Sequence, residues 1–396
     1  MPWKTISLLR ARQQLAEAVL ACRHSLQSLA RRFGVSRKTA YKWLNRFRHT
    51  GVSGLKDRSR RPQSSPDQIS GFWVKQILSW RRRRFHWGAR KIHQRLRRLF
   101  PRRRLPCVRS VHRCLQRHQQ VRRRPRWSRK GPLLPAPGLS PARCPNHVWT
   151  VDFKGWFRTD DGVRQEPLTV RDLFSRFVLR VRLLPSQDDA QARLVFQGLF
   201  RRRGLPQIIR VDNGSPFAGK GALGLSRLSV WWLRLGIRVQ FTRRARPGDN
   251  AGHEQFHGCY QREMVAAAAG GRAQMQRRSD RWVDHYNVER PHEALKGRTP
   301  ASVYRASPKV YAPVLPPLKY PHGWEVRRVR NRGHIKWRGR LRFAGRAFVG
   351  QSLGLKLTRQ EHWEVYLGKQ LIGHLHQSDG GRMRPAHWQR LQSLKL

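Results

Sequence analysis

A chain of 396 residues with 38% hydrophobic residues and 15 tryptophans holds enough apolar material for several packed cores, which excludes a disordered basic tail. Lys and Arg number 84 against 22 Asp and Glu, a formal net charge of +62, so the expected partner is a polyanion bound in a salt-dependent way. The arginines are interleaved with folded-looking segments, which favours nucleic acid over an anionic membrane surface.

The cysteines Cys22, Cys107, Cys114, Cys144 and Cys259 show no CxxC spacing, so neither a zinc ribbon nor a disulfide framework is expected. The opening Met1-Pro2-Trp3-Lys4 lacks an apolar signal core, and the bland run 265–271 is too short to span a membrane. No membrane partner is expected, and the expected location is cytoplasmic, on the nucleoid.

Residues 11–48 read as helices, and 29–44 fit a helix-turn-helix. Ala30 is small enough for a helix crossing, Gly34 permits a tight turn, and Ser36 can cap the second helix. That helix carries Arg37, Lys38, Thr39, Tyr41 and Lys42, the expected DNA contacts in a major groove. A plain helical hairpin with a solvated basic face is the bland alternative; the charge of the chain favours DNA.

Residues 66–120 look like a second helical unit and a repeated helix-turn-helix, with the arginine runs 81–84 and 102–104 as phosphate contacts. Composition then shifts over 121–146, where Pro125, Pro132, Pro135, Pro137, Pro141 and Pro145 suggest an extended linker. Strand signals follow at 147–158, 166–184, 207–211 and 237–241, alternating with helices at 188–200, 225–235 and 250–265. This order predicts an α/β domain with a mixed sheet. After another proline-rich stretch, short strands at 333–337, 340–343, 353–358 and 363–367 suggest a small, basic β-barrel. The expected domains are therefore 1–62, 63–120, a linker over 121–146, a core over 147–306, and a C-terminal region over 307–396.

Acid is scarce, so carboxylates in ordered positions need a reason. Asp152 in Thr150-Val151-Asp152-Phe153 sits mid-strand, Asp212 in Val211-Asp212-Asn213-Gly214 ends another strand, and Glu254 lies on a later helix. Carboxylates held on rigid elements suit Mg²⁺ or Mn²⁺, and two ions close together can assist an in-line phosphoryl transfer, with Asp152 bridging them. The same helix offers a rival: His253-Glu254-Gln255-Phe256-His257 matches the zinc-protease pattern HExxH. That short match leaves the charge and both Asp motifs unexplained. Asp249 lies just before the helix and reads as a loop or capping residue.

At these motifs the chain resembles insertion-sequence transposases with a retroviral-integrase-like catalytic core, the DDE superfamily. The resemblance rests on Trp149-Thr150-Val151-Asp152-Phe153, on Val211-Asp212-Asn213-Gly214-Ser215-Pro216-Phe217, and on Asn250-Ala251-Gly252-His253-Glu254 with His257. It rests also on Tyr286-Asn287-Val288-Glu289-Arg290-Pro291-His292-Glu293-Ala294-Leu295, on Thr299-Pro300-Ala301, and on an N-terminal Gly54-Leu55-Lys56-Asp57-Arg58-Ser59-Arg60-Arg61-Pro62.

The resemblance implies an RNase H-like core, a triad of Asp152, Asp212 and Glu254, and two Mg²⁺ or Mn²⁺ ions. Intervals of 60 and 42 residues separate the triad members. It implies supporting roles for Asn213, Asn250 and His257. It also implies double-stranded DNA partners, both transposon ends and target, handled by a dimer or larger assembly. Ala251, Asp249 and Gln255 depart from the family's usual Gly, Gln and Arg, which keeps a catalytically inactive DNA-binding derivative as the alternative.

Overall fold

The computed structural model describes residues 7–59, 68–121, 138–219, 221–243, 247–267, 270–358 and 362–386. The Arg60-Arg61-Pro62 end of the N-terminal motif and most of the expected linker, including Pro125 to Pro137, lie outside the described residues. The chain divides into two compact units, Met1–Gln68 and Ile69–Leu396.

The first unit contains helices α1 (Leu8–Leu20), α2 (Leu26–Arg32) and α3 (Arg37–Thr50) around buried Leu15, Leu29, Ala30 and Ala40. The helix-turn-helix details follow the sequence. Ala30 is buried, Gly34 has φ +63°, and Ser36 Oγ accepts the Thr39 N–H at 3.2 Å. Arg12 closes the unit: its guanidinium lies 3.8 Å from the Trp43 ring centroid and donates to the Leu55 carbonyl at 2.8 Å.

The second unit opens with α4 (Gly71–Arg83), α5 (Ala89–Leu99) and α6 (Val108–Arg117). They enclose Trp73, Ile77, Trp80, Trp87, Ile92, Leu96, Val111 and Leu115. The next strands are β1 (Val148–Phe153), β2 (Phe157–Arg158), β3 (Arg164–Asp172) and β4 (Val178–Leu184). They are followed by α7 (Asp189–Arg203), β5 (Ile208–Val211), α8 (Arg227–Arg234) and β6 (Arg238–Phe241). Two further helices, α9 (Ala251–Glu263) and α10 (Arg272–Val288), complete the core. The strand expected over 147–158 is two strands, because the chain turns at Gly155, φ +85°.

β1 runs antiparallel to β3 and parallel to β5, β5 runs parallel to β6, and β4 pairs with the far side of β3. This is the expected mixed sheet. Alternation along β1 sends Trp149 and Val151 into the apolar cluster that holds Phe196 of α7 and Trp232 of α8. Thr150 and Asp152 therefore face the opposite layer, where Phe256 and Tyr260 of α9 pack with Met275 and Val283 of α10. Among the described residues, one side of β4 is paired in the sheet. On its other side Asn287 exchanges two hydrogen bonds of 2.9 Å with the Val178 backbone, and Gln276 bonds Leu183 N–H and Val181 C=O, also at 2.9 Å. Side-chain amides of α10 thus satisfy an edge strand.

The C-terminal strands correct one expectation. β7 (Glu325–Arg328), β10 (Ser352–Leu357), β11 (Trp363–Leu367), β12 (Gln370–Leu375) and β13 (Arg384–Pro385) form an antiparallel sheet in the order β7-β10-β11-β12-β13. The hairpin of β8 (His334–Trp337) and β9 (Arg340–Phe343) pairs only with itself as a ladder. No closed barrel forms among the described residues. Closure needs a continuous ladder between the ends of the sheet. Here β13 is two residues long and ends in a proline, which has no N–H to donate, and a lone Phe343–Arg382 bridge links it toward the hairpin.

Candidate active site

Three elements converge at one end of the mixed sheet. Asp152 is the penultimate residue of β1, and Asp212 follows the last residue of β5. The parallel register Thr150↔Arg210, carried two residues further, sets Asp152 beside Asp212. Glu254 is in the first turn of α9, which crosses that face. The ligand atoms of Asp152, Glu254 and His257 all lie within 4.8 Å of one another, whereas Asp212 stands outside that set. The resemblance implies Asp212 in the triad; in the structure it is exposed, as Glu254 is, while His257 is buried beside Asp152.

Like charges crowd this site, and the charge of Lys154 offsets them only in part at Asp152. Among the described residues, none of Asp152, Asp212 and Glu254 forms an ion pair with Lys or Arg. Burial, then the charges of Asp212 and Glu254, push the Asp152 carboxyl up to about 7. Burial, then Lys154 and Arg171, hold His257 down at about 3. The 3.9 Å approach of His257 Nδ1 to Asp152 Oδ2 is therefore a neutral imidazole facing a carboxyl group and not an ion pair. Two carboxylates and an imidazole at this spacing fit a divalent cation by donor chemistry and by size.

Beneath the carboxylates lies a polar knot that sequence reasoning missed. Thr169 of β3, directly opposite Asp152 in register, donates its hydroxyl to the Asp152 carbonyl at 2.9 Å. The same oxygen is bonded by His253 Nε2 at 2.6 Å and His257 Nε2 at 2.8 Å. His253 Nδ1 is bonded to Thr150 Oγ1 at 2.8 Å. Both nitrogens of His253 are thus occupied, and a hydroxyl sits between the two histidines where the HExxH reading needs zinc. That rival reading is removed by the geometry. In sequence, Thr169 is one threonine in a strand buried on both faces, with no local signal.

The supporting residues are placed as follows. Asn213 Nδ2 donates to the Thr242 carbonyl at 2.5 Å and so ties the Asp212 loop to the end of β6. Asn250 is the N-cap residue of α9 but makes no side-chain cap bond. Asp249 is a loop residue that accepts from the Arg243 backbone and guanidinium at 3.0 Å and 2.8 Å. Arg171, fully buried, bonds the Gly252 carbonyl and lies 4.9 Å from the Phe256 ring centroid, fixing the first turn of α9. The far end of α9 is held by Arg290, which donates to Glu263 at 2.8 Å and to Cys259 Sγ at 3.2 Å.

In the first unit, Arg37, Lys38, Tyr41 and Lys42 are exposed along α3. Thr39 is half-buried, and its hydroxyl is engaged 2.8 Å from Ser36 Oγ, so it serves the cap as well as any contact outward. Among the described residues no helix is long and apolar enough to cross a membrane.

The chain thus combines a basic helix-turn-helix with a mixed sheet whose strand ends gather carboxylates under a crossing helix. Known proteins share parts of this plan. The integrase core domain family matches residues 142–247 and again 235–300, a helix-turn-helix domain matches 11–63, and a homeodomain-like domain matches 39–115. The C-terminal domain of the IS481 family transposases matches residues 324–379. Two insertion-element proteins are similar, each at 26% identity. One is the IS407 uncharacterized 31.7 kDa protein of Burkholderia multivorans, over 45% of this chain and 62% of that protein. The other is the IS476 uncharacterized 39.2 kDa protein of Xanthomonas euvesicatoria, over 49% of this chain and 54% of that protein.

The chain thus spans less than two thirds of the length of these relatives. Among solved structures, the HTLV-2 integrase catalytic core in complex with magnesium aligns at 14% identity over 41% of this chain and 98% of that one, with a TM-score of 0.32. The BIV integrase core aligns at 17% identity over 40% and 93%, with a TM-score of 0.31, and superpositions this loose carry no argument. The family matches suffice: the resemblance to insertion-sequence transposases with an integrase-like core stands.

Proposed function

We propose that this chain is a transposase that binds the terminal inverted repeats of an insertion sequence and catalyses metal-dependent DNA cleavage and strand transfer. The observation that carries the reading is the convergence of Asp152, Glu254 and His257, with Asp212 exposed beside them and no Lys or Arg ion pair to these carboxylates among the described residues, in a chain of +62. Asp152, Asp212 and Glu254 are the residues that would hold Mg²⁺ or Mn²⁺, two ions in this reading. Such ions, when bound, sharpen the attacking oxygen and stabilise the leaving one.

The protein's own part is placement. β1 carries Asp152, the end of β5 positions Asp212 just beyond it, and Arg171 and Arg290 fix α9 and with it Glu254. Asn213 holds the Asp212 loop, and Asn250 sits where α9 begins. Arg37, Lys38, Tyr41 and Lys42, with Thr39, present the end-binding surface, and α4 to α6 form a second DNA-binding domain. Handling two ends together calls for a dimer or larger assembly on double-stranded DNA. The domain boundaries at 62, 120, 146 and 306 and a nucleoid location belong to the same proposal.

The test is a cleavage and strand-transfer assay in Mg²⁺ or Mn²⁺, on a duplex carrying the inverted repeats that flank the coding region. Joined product that disappears in Glu254→Gln supports the reading. Specific end binding with no cleavage in either metal overturns it in favour of an inactive DNA-binding derivative.

A further inference from the structure

The two histidines of α9 share one hydroxyl but end in different states. Thr169 Oγ1 has a single hydrogen, and the Asp152 carbonyl, which can only accept, takes it at 2.9 Å. The bonds from His253 Nε2 and His257 Nε2 to the same oxygen must then both be donated by the rings. With its Nε2 protonated, each neutral ring keeps a bare lone pair on Nδ1. In His253 that lone pair accepts the Thr150 hydroxyl at 2.8 Å. In His257 Nδ1 has no hydrogen bond among the described residues. The residue is 5% exposed, this nitrogen lies 3.9 Å from Asp152 Oδ2, and a ring nitrogen of His257 shares the 4.8 Å set with Asp152 and Glu254. A lone pair set beside the Asp152 carboxylate is acceptor beside acceptor, and a cation shared with Asp152 and Glu254 would satisfy all three.

We propose that His257 Nδ1 is a nitrogen ligand to the divalent cation held by Asp152 and Glu254, with Thr169 as the group that fixes its tautomer. The inference rests on the metal-dependent reading above and adds to it a donor outside the three carboxylates. Glu254 and His257 are three residues apart on α9, so one helical face delivers both ligands. Thr169 takes the part that a carbonyl or carboxylate usually plays behind a metal-bound histidine, holding the far ring nitrogen. An imidazole in the set favours Mn²⁺ and later transition ions over Mg²⁺ more strongly than oxygen ligands alone do.

Mn²⁺ binding to the full chain, followed by electron paramagnetic resonance with detection of nitrogen couplings, tests this without reference to catalysis. The wild type is expected to show a histidine nitrogen coupled to Mn²⁺, and growth on ¹⁵N-histidine should convert that coupling to the ¹⁵N pattern with no mutation at all. His257→Asn should lose it and weaken Mn²⁺ binding at least about tenfold, with a smaller loss for Mg²⁺. Thr169→Val should weaken Mn²⁺ binding about tenfold while keeping a nitrogen coupling. Mn²⁺ that binds in an Asp152-dependent way but shows no histidine coupling in the labelled wild type overturns the inference and leaves the metal reading standing. Mn²⁺ binding unchanged by both Asp152→Asn and Glu254→Gln overturns the two together.

Discussion

Helix α9 carries a glutamate near each end, and the protein treats them in opposite ways. Glu263, the last residue of the helix, sits where the helix dipole is unfavourable to a negative charge. Burial pushes its carboxyl up, but the Arg290 guanidinium, together with hydrogen bonds from Arg290 and Trp282, more than reverses this and leaves it below the usual range. Glu254, in the first turn, has a favourable dipole but no Arg or Lys partner among the described residues, and it adds to the charge that lifts Asp152. In so basic a chain a cation could have been placed against Glu254. One end of the helix is built for stability, and the other end leaves negative charge unmatched, at the point where a cation is expected to bind.

The largest expected effect breaks the unmatched end. Alanine at Asp152, Asp212 or Glu254 should lower strand transfer by on the order of a thousandfold or more while end binding in a mobility-shift assay is retained; full activity in any one of them removes that residue from the triad. The matched end should respond in stability instead. Glu263→Ala leaves Arg290 buried without its partner and should cost about 3–5 kcal/mol in denaturant unfolding.

A third test uses pH on metal-free protein. Asp152 at about 7 in the folded state lies above its unfolded value of 3.8, so the folded state binds the extra proton between these limits. Wild-type stability should fall as pH rises through that window. Asp152→Asn removes the penalty and should be more stable than wild type above pH 7, by on the order of 2–4 kcal/mol, with the difference vanishing below about pH 4. Added Mn²⁺ should raise the wild-type Tm and leave that of Asp152→Asn unchanged.

Two smaller effects separate helix building from the site. Ser36→Ala should cost the first unit about 1 kcal/mol by leaving the Thr39 N–H without its cap. Gly258→Ala should stabilise α9 by about 0.5–1 kcal/mol, since the added Cβ meets only the mobile end of Arg262 at 3.3 Å. A Gly258→Ala protein that gains stability and keeps strand transfer would show that this glycine costs the helix stability without serving the reaction.

Much of this was legible in the chain because it is local. The Ala30, Gly34 and Ser36 pattern dictates its turn through φ and capping within a few residues. The apolar alternation of Trp149, Val151 and Phe153 dictates which face of β1 is core. Asp152, Asp212 and Glu254 were visible as scarce acid beside strand and helix signals. The C-terminal barrel was a fair expectation from short strands, yet closure depends on which edges meet, and no short stretch of sequence encodes that.

Only the tertiary structure could bring Thr169 opposite Asp152 and under two histidines 84 and 88 residues away. A hydroxyl's role depends on who shares its one hydrogen. The Tyr286-to-Leu295 block was recognisable as a motif, but its physical work appears only in three dimensions: Asn287 seals the β4 edge and Arg290 neutralises Glu263. Periodicity and turn chemistry act over a few residues and can be read in one dimension. Pairing of charges and sharing of protons act across the fold, so the final state of each site group was decided there.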